Sequence, residues 1–123
     1  MMTYEEFRES MESFRRSADV DAAAQKDPQL ALDQLLALYG KFDESERAMA
    51  NRVLAEWSIS MDEGKRFDAL TIVDEFGVSE VAPALRELAG RLNGSAVRGA
   101  PYELQKVDRL LDRLASGGKK GGP

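Results

Sequence analysis

Apolar residues return every three or four positions through most of this chain, and the breaks in that rhythm fall at Pro, Gly and Asp. A period near 3.6 gathers such residues on one face of a helix, while few stretches alternate in the two-residue manner of a half-buried strand. The pattern therefore predicts an all-α fold.

The start and stop signals divide it into five or six helical elements. Tyr4, Phe7, Met11 and Phe14 mark an amphipathic first helix near 3–18, followed by an alanine-rich turn or loop from Asp19 to Lys26. Asp27-Pro28 opens the next, because Asp caps free N–H groups and Pro loses no bond at the first helical position. Leu32, Leu35, Leu36 and Tyr39 form its buried face, with Gly40 suited to a left-handed cap. Asp43 and Glu46 read as a capping box for a helix over 44–60, whose apolar side carries Ala50, Val53, Leu54, Trp57 and Met61. Phe67, Leu70, Val73 and Phe76 predict a helix over 65–76 that stops at Gly77. Val81, Leu85, Leu88 and Leu92 mark another, with Pro83 delaying its regular part. Pro101 starts the last, carried by Leu104, Val107, Leu111 and Leu114.

At 123 residues the chain is expected to form a single all-α domain over 1–116, followed by a flexible Gly/Lys-rich tail at 117–123. Short connections predict antiparallel neighbours, arranged as stacked helical hairpins or, alternatively, as a four- or five-helix bundle. Cysteine and histidine are both absent. That removes disulfides, thiolate nucleophiles, Cys- or His-based metal sites and any Ser-His-Asp triad. No cofactor, metal or catalytic residue is assigned. No apolar run is long enough to span a membrane, and Met1–Met11, with Glu5, Glu6 and Glu9, lacks the apolar core of a secretory signal. The expected location is the cytoplasm.

One segment carries a resemblance. Lys65 to Leu88 resembles a short HEAT-like repeat, with Arg66 opening the first helix, then Ala69-Leu70, a turn at Gly77, and Val81 with Pro83-Ala84-Leu85 starting the second. Val97-Arg98 and the helix after it are similar to half a unit. Phe76 stands where many such units carry a smaller residue. The resemblance implies a stack of hairpins that presents a surface to a protein partner. The chain is also similar in size and acidity to small all-α immunity proteins of bacterial toxin systems, which implies an inhibitory binder.

Charge indicates where a partner would meet it. Residues 1–80 hold 18 acids against 9 bases, and residues 81–123 hold 4 against 8. Asp62, Glu63, Asp68, Asp74, Glu75 and Glu80 crowd one stretch, and Asp68, Thr71 and Glu75 are expected to share a face opposite Phe67, Leu70 and Val73. These six residues, Asp62, Glu63, Asp68, Thr71, Glu75 and Glu80, form the predicted partner-binding surface, suited to a basic protein. Glu9-x-x-Glu12 resembles half of the Mg²⁺ site of all-α nucleotide pyrophosphohydrolases, but no Glu-x-x-Asp follows it. Glu5, Glu9 and Glu12 therefore read as a solvated helix side. Lys106, Arg109 and Arg113 make a basic stripe on the last helix, with Arg98 and Arg91 expected near it, yet Asp108 and Asp112 interrupt it and no exposed aromatic is expected beside it, which disfavours nucleic acid. Self-association stays open.

Overall fold

A computed structural model describes residues 2–117; the predicted tail beyond Gly117 lies outside them. The described chain is all-α. Its helices are α1 (Tyr4–Gln25), α2 (Pro28–Lys41), α3 (Glu44–Ser58), α4 (Glu63–Phe76), α5 (Ala82–Leu92) and α6 (Ala100–Ala115), with a 3₁₀ turn at Ser79–Val81 before α5. None is long and apolar enough to cross a membrane. Contacts divide the chain into two compact units, one within Met1–Val53 and the other within Leu54–Pro123, so the division falls inside α3.

In the first unit α1 runs seven residues beyond its predicted end, through Asp19 to Gln25. Ala18 and Ala22 continue the buried stripe begun by Phe7 and Met11. Alanine, the best helix former, carries the period there without looking strongly apolar. Thr3 and Glu6 close a capping box at the start, and the hydrogen bonds from Thr3 hold the Glu6 carboxyl below its ordinary range. The left-handed cap lies at Lys26, with φ 53°. Gly40, predicted for such a role, is helical, and α2 ends instead at Phe42 in extended backbone. Phe42 lies 5.2 Å from the Phe7 ring and 6.1 Å from Tyr39. The end of α2 thus meets the start of α1, and the two helices run antiparallel. The Tyr39 hydroxyl and Asn51 Oδ1 are hydrogen-bonded at 2.8 Å, which brings in the first half of α3. The Asp43–Glu46 capping box is present with both arms. Glu12, expected on the solvated side of α1, is buried.

The second unit is built around α5. Val81, Leu85 and Leu88 are essentially inaccessible, and so are Leu54, Ile72, Val73 and Val107. Each such side chain contributes roughly 1.5–3 kcal/mol by leaving water. Buried Ser58 donates from its hydroxyl to the Leu54 carbonyl at 2.7 Å, so it brings no unsatisfied group into the core. Arg91, near the end of α5, donates to the Ile59 carbonyl ahead of α4, which sets α4 and α5 antiparallel. A short loop returns the chain into α6, which packs on α5. Pro83 lies in the first turn of α5 and the 3₁₀ turn precedes it, in line with the delayed start.

Two helix ends make opposite demands on the left-handed region. Gly77 occupies it at φ 64° without a Cβ to crowd, whereas Lys26 does so at φ 53° against a cost of roughly 1–2 kcal/mol. Lys26→Gly should therefore raise the urea midpoint modestly, because the relief exceeds the roughly 0.4–1 kcal/mol of unfolded-chain entropy that glycine adds. Gly77→Ala should lower it. Equal midpoints for the two variants would contradict both assignments.

Candidate functional site

The face of α4 that enters the core consists of Ala69, Ile72 and Val73. The predicted set of Phe67, Leu70, Val73 and Phe76 is displaced from it. Residues repeated every third position drift around a helix of 3.6 residues per turn, whereas spacings of three and four alternating stay on one side. Phe67, two positions before Ala69, is consequently turned outward and is 50% exposed.

The predicted acidic surface is dispersed by this geometry. The Asp62 carboxylate caps α4, accepting from the Gly64 N–H at 2.9 Å and the Lys65 N–H at 3.2 Å. The Thr71 hydroxyl donates to the Phe67 carbonyl at 2.9 Å. Asp68 is half-buried, and Glu63, Glu75 and Glu80 are exposed. Glu80 accepts from the Ser79 hydroxyl at 3.3 Å in the 3₁₀ turn. Asp68 and Glu75 lie about two turns apart on one side of α4, while Asp62 and Glu80 sit beyond its two ends.

A different cluster forms where α4 and α6 begin. Arg66 donates from Nε and Nη2 to the two Glu103 carboxylate oxygens at 2.7 and 3.1 Å, and from Nη1 to the Ser60 carbonyl at 2.9 Å. The two side chains are 13% and 18% exposed. The Glu103 hydrogen bonds raise the Arg66 pKa above its ordinary value against the opposing effect of burial. Farther along, Arg113 pairs with Asp74. Since 66 meets 103 and 74 meets 113, α4 and α6 run parallel, each antiparallel to α5.

Apolar surface gathers around the first of these ion pairs. Met61 is 84% exposed, Val97 69% and Tyr102 66%, which with Phe67 makes four large apolar residues left open at one end of this unit. Met61 was expected in the core, but α3 stops at Ser58 and leaves it in the turn. Met61 and Val97 line a concavity of about 260 Å³ with Arg66, Arg91, Arg98 and Glu103. Beside it the Lys106 ammonium lies 5.4 Å from the Phe67 ring and 5.2 Å from the Tyr102 ring. Exposed aromatics therefore do accompany the basic stripe, contrary to expectation. Tyr102 and Lys106 stand four apart on one helix, a neighbour relation readable in the sequence.

Among the described residues no three acidic side chains converge in a way that could hold a metal ion. No protein-family model matches the chain, and neither a curated protein nor a solved structure does.

The Arg66–Glu103 pair should be expensive to break from one side. Glu103→Ala leaves a largely buried guanidinium without its carboxylate, at a cost of about 2–3 kcal/mol in chemical denaturation. Combining it with Arg66→Met should recover most of that loss. A double variant as unstable as the sum of the single ones would show the two residues to be uncoupled.

Proposed function

We propose that the chain is a non-catalytic protein-interaction module. The observation that carries this reading is the cluster of Met61, Phe67, Val97 and Tyr102, exposed together at one end of the second unit. Single exposed apolar residues need no explanation, but a group of them bordered by charged residues is the usual composition of a docking surface. Tyr, Arg and Met are also the residue types enriched where partners bind. The resemblance of the Lys65–Leu88 sequence to a HEAT-like unit supports the same reading, since helical hairpins of that kind present faces to other proteins. An inhibitory role of the immunity type and a cytoplasmic location fit the small acidic chain.

A second reading places a basic partner on α4, where Glu63 and Glu75 are exposed. Such charges would accelerate encounter more than they would hold the complex.

The two surfaces separate in one experiment. Proteins captured from the native host by the intact chain should be compared, by quantitative mass spectrometry, with those captured by Met61→Ser/Tyr102→Ser and by Asp68→Lys/Glu75→Lys. The first variant removes exposed side chains and should change stability by no more than about 0.5 kcal/mol. Its complexes should weaken by about tenfold or more, the size of a hot-spot loss. Charge reversal on α4 should mainly slow association at low salt. Retention of every captured protein by both variants would remove the basis for a module acting through either face.

A further inference from the structure

The open end of the second unit has a charge sign of its own, opposite to that of the whole chain. Three exposed cations border the apolar cluster: Arg91 and Arg98 at the concavity, and Lys106 between the Phe67 and Tyr102 rings. None of the three makes an ion pair among the described residues. Arg91 donates to the Ile59 carbonyl at 2.9 Å and approaches Met61 Sδ at 3.8 Å, bonds that leave its charge uncompensated by any carboxylate. Arg98 is exposed in the loop before α6. Of the two acids at the concavity, Glu103 is already neutralised by Arg66, which leaves Glu63, with Asp62 close enough to act on Arg66 as well, against the three cations.

We propose that this end binds an acidic segment of a partner protein: one apolar side chain enters between Met61 and Val97, and flanking carboxylates meet Arg98, Arg91 and Lys106. The proposal deepens the interaction-module reading and rests on it. Size selects the occupant first. At about 260 Å³ the concavity falls below the roughly 300–1,000 Å³ of small-molecule and cofactor sites, and it suits a single anchoring side chain. Chemistry selects it next. Thioether, valine and aromatic surfaces favour an apolar anchor, and guanidinium groups favour carboxylates, which they meet two bonds at a time. A single-stranded nucleic acid fits less well. Lys106 already lies against the Phe67 and Tyr102 rings, and Asp108 and Asp112 interrupt the cations of α6. The surface extends roughly 9 Å along α6 from Ala100 to Lys106, enough for a short peptide stretch.

Selection of a random-peptide display library on the intact chain tests the proposal, with synthetic copies of the enriched peptides then measured by fluorescence anisotropy. Enriched sequences should carry an apolar residue flanked by Asp or Glu. Their affinity should fall by about tenfold or more with Arg98→Glu/Lys106→Glu, two exposed side chains outside the core. It should be unaffected by Asp68→Lys/Glu75→Lys. Enrichment of Lys- and Arg-rich peptides that depend on Glu75 would overturn this inference and leave the interaction module standing. Failure to enrich any peptide would overturn it too, the module then being judged by capture of native partners. A single-stranded RNA probe that binds with steep salt dependence and is lost with Arg98→Glu/Lys106→Glu would overturn it in favour of nucleic acid.

Discussion

The Arg66 guanidinium sets the arrangement of the second unit. Its donors are divided between the Glu103 carboxylate and the Ser60 carbonyl, so one side chain connects α4, α6 and the turn that follows α3. A charge removed this far from water is tolerated only with its partner and hydrogen bonds in place. The requirement acts as a register mark. With 66 opposite 103, Phe67 and Tyr102 fall close enough for Lys106 to reach both rings. The exposed apolar cluster is thus a by-product of how two helices are aligned, and the core residues beneath need not contribute to it.

The local instructions were legible and the tertiary ones were not. Asp27-Pro28, Asp43 with Glu46, and Gly77 each act through atoms a few residues away, and each does so in the folded chain. The end of α1 was hidden because Ala18 and Ala22 carry an apolar stripe with very little side chain. Phe67 was misassigned for the converse reason: a large aromatic attracts a core assignment even where the helical angle turns it outward. The Arg66–Glu103 pair joins residues 37 apart, and nothing in the spacing announces it. Composition correctly described an acidic chain, but sign averaged over a chain says little about one patch. Arg91 and Arg98 were expected near Lys106, but that these cations border exposed apolar side chains emerges only when α5, the loop and α6 are brought together.

The acidic stretch illustrates how a charge run can be divided among unrelated tasks. Asp62 serves the first turn of α4, Asp74 serves the contact with α6, and Glu75 is left to the solvent. Adjacent carboxylates in sequence point in different directions on a helix, so density along the chain overstates density on the surface. The parallel alignment of α4 and α6 is that of alternate helices in an up-and-down arrangement. It follows here from α5 lying antiparallel to both.

The turn between α3 and α4 has a further consequence. Its Ile59 and Ser60 carbonyls are held by Arg91 and Arg66, guanidinium groups that come from two different helices. Loops that offer an exposed side chain ordinarily lose conformational freedom when something docks on them, and that loss weakens the complex. Met61 projects from backbone restrained just before it by these two guanidinium groups and just after it by the Asp62 cap of α4. A partner gripping its thioether would meet a surface ordered in advance, and the entropy of arranging it belongs to folding instead of to association.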